Sequence, residues 1–179
     1  MDEEYYKKHI ANIEDYPKKG VIFRDVTTTL EDAEAFQNSI NDMYELIKDY
    51  DFDKIMCADA RGFIFGSALA YKCNKGLIVA RKPNKLPRPG FSYSYTLEYG
   101  ENTLVISEGS LHTGNKILIV DDLLATGGSS IAMMELTKRS RAIPIASVFY
   151  IELPDLGGKQ AIKKCWDIPV FSLVKYKGD

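Results

Sequence analysis

The sequence predicts an α/β fold with an open, mainly parallel sheet flanked by helices. Three observations carry that expectation. Short strand-like runs at 55–58, 77–80, 117–120 and 170–175 alternate with stretches of helical spacing, the order that builds parallel strands joined by crossover helices. Ile117-Leu118-Ile119-Val120 is aliphatic throughout, as a strand buried on both faces must be. Turn-forming segments, Asp59-Ala60-Arg61-Gly62 and the stretch after Asp121-Asp122, follow two of these runs. They fall at strand carboxyl ends, where open α/β sheets bind ligands.

The elements follow in order. Tyr6, His9, Ile10 and Ile13 recur at helical spacing and predict an amphipathic helix that Tyr16-Pro17 ends. Val21-Ile22-Phe23 is a short apolar run ahead of Arg24-Asp25. Phe36, Ile40, Met43, Tyr44 and Ile47 mark one helix face. A buried strand at 55–58, a turn and a helix over 63–72 come next, then a strand at 77–80. After the strand at 117–120, two acids stand where it should end, and a helix runs from Gly128 to about Ser140. Residues 143–153 read as strand, with a short helix near 158–164 and a last strand at 170–175.

The segment 81–114 breaks this rhythm. It opens with four bases (Arg81, Lys82, Lys85 and Arg88), no acid, and three prolines within ten residues. Phe91, Tyr93, Tyr95, Leu97 and Tyr99 then alternate with Ser92, Ser94, Thr96 and Glu98. Period two means a strand with aromatics on one face and Glu98 on the other; residues 103–106 can pair back as a hairpin. A basic, proline-punctuated arm of this kind reads as a lid over a polyanion. The alternative is a solvated basic loop, with the nearby tyrosines suiting contact with nucleic acid.

The 179 residues are expected to form one domain, 1–179, with a substantial core. A net charge of −2 gives no global reason to expect nucleic acid or membrane as partner. No apolar run approaches a membrane span, and Met1 to Ile10 is too charged for a secretory signal. Cys57, Cys73 and Cys165 are few, separated and odd in number, which points to a reducing, cytoplasmic setting without disulfides. His9 and His112 are isolated and read as structural or surface residues.

The chemistry concentrates in 117–130. Ala125, Thr126, Gly127, Gly128 and Ser129, with Ser130, form a small glycine-rich turn opening a helix. Such a turn aims backbone N–H groups at an anion, and the hydroxyls add donors. Asp121 and Asp122 would repel a phosphate; they suit sugar hydroxyls or a phosphate-bound metal. The implied ligand carries a ribose between two anionic ends. The bland alternative is an ordinary strand-to-helix turn. No Lys follows the glycines, so this is not a Walker loop.

The string from Ile117 to Ser130 resembles the signature of the type I phosphoribosyltransferases, which bind 5-phosphoribosyl-1-pyrophosphate (PRPP). Four further strings are similar to one subgroup, the adenine phosphoribosyltransferases: Gly20-Val21-Ile22-Phe23-Arg24-Asp25-Val26-Thr27, Asp59-Ala60-Arg61-Gly62-Phe63-Ile64-Phe65-Gly66, Arg81-Lys82 with Lys85-Leu86-Pro87, and Tyr95-Thr96-Leu97-Glu98-Tyr99-Gly100. Order and spacing match over residues 17–176. The resemblance implies a type I phosphoribosyltransferase fold with a hairpin lid and a small N-terminal hood. It implies transfer of phosphoribose from PRPP to adenine, giving AMP and pyrophosphate, with Mg²⁺ required and a homodimeric enzyme.

It also implies roles. Ala125, Thr126, Gly127, Gly128 and Ser129 would hold the 5′-phosphate, and Asp121 and Asp122 would face the ribose. Asp59, Ala60 and Arg61 would form the pyrophosphate loop, with an expected cis peptide at Asp59–Ala60. Lys82, Lys85 and Tyr99 would close over the pyrophosphate, with Arg81 a weaker member. Val21, Ile22, Phe23 and Arg24 would bind adenine, Phe23 by stacking and backbone groups by in-plane hydrogen bonds; Val21 and Ile22 also read as core. Glu98 would act near adenine N7. Mg²⁺ would come mainly with PRPP and water, without a certain protein ligand.

The chain departs from the family pattern at Thr28 and Thr29, where relatives commonly have Pro then an aliphatic residue. Asn84 replaces a usual glycine between the lid bases, and Ser129 a common threonine. Two other readings remain: a phosphoribosyltransferase for another base, against which the Phe23 and Glu98 strings argue, and a PRPP sensor, which would not need Glu98.

Overall fold

The computed structural model describes residues 1–97 and 100–177. Five strands form one parallel sheet: β3 (Lys54–Ala58), β4 (Gly76–Ala80), β7 (Lys116–Leu124), β8 (Ile143–Glu152) and β9 (Val170–Lys175), in the order β4-β3-β7-β8-β9. From β3 the chain first moves outward to β4 and later returns to lay β7 on the other side. The carboxyl ends of β3 and β7 therefore flank the point where the strand order reverses, the crevice such sheets offer to ligands.

Helices cover both faces. One face packs α1 (Glu3–Lys7), α3 (Ala33–Ile47) and α4 (Gly62–Cys73) around Tyr6, Met43, Phe65, Leu69 and Tyr150. The other packs α5 (Gly128–Arg139) and α6 (Gly158–Cys165) around Met133, Leu136, Phe149 and Ile162. Along β7, Leu118 and Val120 join the first cluster and Ile117 and Ile119 the second. This strand is apolar throughout because neither face meets water.

The expected hairpin is present: β5 (Gly90–Leu97) pairs antiparallel with β6 (Gly100–Ser107), from Gly90↔Ser107 to Leu97↔Gly100. Tyr93 and Tyr95 lie against the second cluster, while Ser94 on the other face shares a 2.8 Å hydrogen bond with Thr103. The period-two pattern thus sorts as predicted at Tyr93, Ser94 and Tyr95, while Phe91 is exposed and Glu98 and Tyr99 lie outside the described residues.

The N-terminus differs from its expectation. The helix ends after Lys7, and the rest of the predicted helical stretch includes β1 (Ala11–Glu14), paired antiparallel with β2 (Ile22–Asp25). Thr28 and Thr29 explain the early stop. Both hydroxyls donate to the His9 carbonyl, at 2.7 and 2.9 Å, and the Ala11 N–H donates back to Thr28 Oγ1. These side chains, carried by α2 (Thr27–Glu31), occupy the backbone groups that another helical turn would use. A second correction concerns β7. It does not stop before the acids but carries Asp121 and Asp122 as strand residues, pairing with β8 as far as Leu124↔Glu152.

Candidate active site

Beyond Leu124 the chain turns through Ala125, Thr126 and Gly127 into α5. Gly127 has φ 86°, a left-handed conformation that favours glycine. The turn from Leu123 to Ser130 encloses a hollow of 80 Å³. Behind it lies Gly158, at the start of α6. A Cβ on Gly158 would fall 2.2 Å from the Ala125 carbonyl oxygen, so two backbones meet where no side chain fits. Sequence reading missed this residue: a glycine opening a helix carries no sign of what lies opposite.

A cleft of 550 Å³ adjoins the turn. It is lined by Ala58, Asp59, Ala60 and Arg61 from the end of β3, and by Asp121, Asp122, Leu123, Ala125, Thr126 and Ser129 from β7 and its turn. A 210 Å³ recess shares Ala58, Asp59 and Ser129 with it and adds Lys82 and Tyr95. The predicted loop, acids and Lys82 thus converge, joined by Leu123 and Tyr95, to which no site role had been assigned. A depression of 460 Å³ around Glu108, His112, Arg139 and Arg141 lies at the other end of α5. It is away from the strands' carboxyl ends and has neither the glycine-rich turn nor the carboxylate pair.

Asp121 and Asp122 are both nearly buried. Asp121 Oδ1 accepts the Asp122 N–H at 2.9 Å. It also faces Gly62, where a Cβ would come within 2.5 Å of that oxygen. Burial pushes the Asp121 carboxyl well above the ordinary carboxylate range, and the neighbouring Asp122 charge adds to it. Asp122 is raised too, by burial, with Arg61 opposing.

Arg61 caps the start of α4, and its Nε lies 2.7 Å from Asp122 Oδ2. Asp122 Oδ2 is buried and accepts no hydrogen bond. The contact is therefore an ion pair with poor N–H alignment, leaving an acceptor unmet. The same guanidinium sits 5.2 Å from the centre of the Phe23 ring. Arg61 thus links the predicted base segment to the predicted ribose acids. The Asp59–Ala60 peptide is cis, as expected.

The other predicted residues are placed as follows. Val21, Ile22 and Phe23 are all accessible, so the alternative that Val21 and Ile22 are core does not hold. Phe23 packs edge-on to Tyr16, ring centres 5.2 Å apart. Arg24 is buried, donates to Asn12 Oδ1 at 2.5 Å and lies 3.9 Å over the Tyr176 ring. The Arg24 side chain thus ties β2 to Asn12 of β1 and to Tyr176 beyond β9. Arg81 donates to Asp59 Oδ2 at 3.3 Å and to the Lys85 carbonyl at 3.2 Å. It braces the lid turn against the β3 loop and lines neither the cleft nor the recess. Lys85 does not line them either. Asn84 has φ 64°, the conformation that the family's glycine would take freely. Glu98 and Tyr99 lie outside the described residues.

The phosphoribosyl transferase domain model matches residues 26–173. A relative named adenine phosphoribosyltransferase, from Brachyspira hyodysenteriae, is 46% identical over 95% of this chain and 98% of its own. The chain belongs to the adenine phosphoribosyltransferase family. The family's crystal structure from Thermoanaerobacter pseudethanolicus superposes with TM-score 0.92 at 41% identity, covering 97% of this chain and 99% of that one. The Saccharomyces cerevisiae family member was solved with an imino-altritol bisphosphate and adenine. It superposes with TM-score 0.87 at 30% identity, covering 96% and 97%. Among the described residues no cluster of three or more His, Cys, Asp or Glu could hold a metal, and no helix is long and apolar enough to cross a membrane.

Proposed function

We propose that this chain transfers 5-phosphoribose from PRPP to adenine, giving AMP and pyrophosphate for purine salvage. The observation that carries the reading is the joining of three subsites around one cleft: the glycine-rich turn, the buried carboxylate pair, and Arg61 bridging to Phe23. In this reading the turn at Ala125, Thr126, Gly127, Gly128 and Ser129 holds the 5′-phosphate on backbone N–H groups and hydroxyls. Asp121 and Asp122 accept hydrogen bonds from the ribose hydroxyls. Their partial negative charge favours the positive charge that develops on the ring as pyrophosphate leaves. Arg61 and the β3 loop meet the pyrophosphate, with Lys82, Lys85 and Tyr99 closing from the lid and Arg81 bracing it.

Adenine has no charge to grip. Phe23 supplies a flat apolar face. The backbone near Ile22 and Arg24 reads the amine and N1; among the described residues β2 pairs with β1 alone. Amine and oxo groups reverse the donor pattern, so a backbone reader separates adenine from hypoxanthine. Attack by adenine N9 on the anomeric carbon breaks its bond to pyrophosphate through an oxocarbenium-like transition state. Glu98 stabilises or exchanges a proton on the purine.

Mg²⁺ fits this donor set without a protein cage: the Asp121 and Asp122 carboxylates line the cleft and would take hydrogen bonds from the water shell of an ion arriving with PRPP. When bound, it neutralises charge on the leaving pyrophosphate. We further infer a cytoplasmic homodimer of one 179-residue domain. Exposed Ile64, Tyr71 and Leu77 on α4 and the edge strand β4 support the association. Free Cys57, Cys73 and Cys165 support the reducing compartment.

The test is to mix purified protein with Mg²⁺, PRPP and adenine and to quantify AMP and pyrophosphate. Equimolar formation of both is expected. A folded protein that binds PRPP yet forms neither would replace the enzyme with a PRPP sensor.

A further inference from the structure

We propose that Tyr95 is a positioning residue that latches the reactive end of the β5–β6 hairpin to the phosphate loop. Ser129 reports through it whether that loop is filled. The proposal rests on the 5′-phosphate assignment above.

The hairpin lies along α5 and is held at both ends of that helix. At the far end, Arg139 donates to the Ser92 carbonyl at 2.8 Å and sits 4.8 Å from the Tyr93 ring centre. At the near end, the Tyr95 hydroxyl and Ser129 Oγ are 3.0 Å apart. The first contact is distant from the cleft. The second joins the hairpin directly to a residue of the phosphate loop.

The chemistry of two hydroxyls makes this contact responsive. Each has one proton to donate, and with the loop empty either can be the donor. A phosphate offers only acceptors to the loop, so Ser129 turns its proton to the phosphate. Tyr95 must then donate to Ser129. Occupation fixes the direction of the chain Tyr95–Ser129–phosphate, and each bond polarises and strengthens the next. Glu98 follows Tyr95 by three residues in the sequence. A filled phosphate loop thereby holds β5 at Tyr95, and an empty one leaves it looser. Ring packing of Tyr95 against the sheet is a separate contribution, which Tyr95→Phe preserves.

The experiment compares the full-length protein with Tyr95→Phe, Ser129→Ala and the double variant. Ribose 5-phosphate is the probe, because it carries the phosphate without pyrophosphate. Hydrogen exchange in 91–97 is expected to slow on adding ribose 5-phosphate to the parent protein and to remain unchanged in saturated Tyr95→Phe. Turnover of Tyr95→Phe is expected to fall about tenfold with the KM for adenine within twofold, and the double variant to turn over no slower than Ser129→Ala. Equal protection in Tyr95→Phe, or losses that multiply in the double variant, would overturn the latch while leaving the phosphate site intact. A parent protein that makes AMP but shows no protection also overturns it. Failure of the parent protein to bind ribose 5-phosphate or to form AMP would instead overturn the functional reading beneath it.

Discussion

Arg61 Nε stands 2.7 Å from Asp122 Oδ2 while the same guanidinium rests on the Phe23 ring. One cation thus pairs with a buried acid and packs near the ring of the base segment. In the proposed reaction Arg61 serves the pyrophosphate, so substrate competes with Asp122 for it. Arg61→Gln is expected to weaken PRPP binding about 10- to 100-fold, the worth of one or two charge-assisted hydrogen bonds. It also removes the group that lowers the Asp122 pKa. Its melting temperature should therefore drop relative to the parent at pH 8, with the gap shrinking as pH falls toward the ordinary carboxylate value. Calorimetric titration and thermal scans check both.

The carboxylate pair makes stability depend on pH. The Asp121 pKa is raised in the folded chain by burial and by Asp122. The folded state then holds the proton more tightly than the unfolded state. Its stability is greatest below the unfolded carboxylate value and declines as pH rises through the raised one. Asp121→Asn removes the buried charge and keeps an oxygen for the Asp122 N–H. Its melting temperature is expected to exceed the parent's at pH 7 to 8, by about 2–4 °C for each kcal/mol relieved, with the gap closing near pH 4. Turnover with PRPP should fall at least about tenfold. An unfolded variant would make Asp121 structural.

Gly158 backs the phosphate loop with no room for a methyl group. Gly158→Ala must displace the Ala125 carbonyl, a strain of about 1–3 kcal/mol. The expected result is a PRPP KM raised about tenfold or more with the adenine KM nearly unchanged. Steady-state kinetics in both substrates reads the difference.

Glu98→Gln keeps shape and removes the titrating group. Turnover should fall about 10²- to 10⁴-fold, the usual reach of general acid–base help, with PRPP binding within about threefold. Unchanged turnover would end the role assigned to Glu98.

What the sequence disclosed follows from how local each signal is. The parallel sheet was legible because the aliphatic run at Ile117 needs burial on both faces. The hairpin was legible because Tyr93 and Tyr95 alternate with serines. The N-terminal helix was misread: Tyr6, His9 and Ile10 keep helical spacing, but Thr28 and Thr29, nearly twenty residues on, take the His9 carbonyl. The end of β7 was misplaced because acids suggest solvent, whereas Asp121 and Asp122 are buried strand residues and Asp121 faces Gly62 of α4. The chemical identity of the phosphate loop and acids was local and readable. Their supports, Gly62, Gly158 and Tyr95, act across long sequence separations and become visible only by proximity.

The central claim is that the cleft selects adenine. The protein is incubated with Mg²⁺, PRPP and equal amounts of adenine, hypoxanthine and guanine, and the nucleotides are separated by chromatography. AMP is expected to dominate, and Phe23→Ala to slow its formation at low adenine about 10-fold or more through the lost stacking face. A product dominated by IMP or GMP would contradict the base assignment while leaving the PRPP site standing.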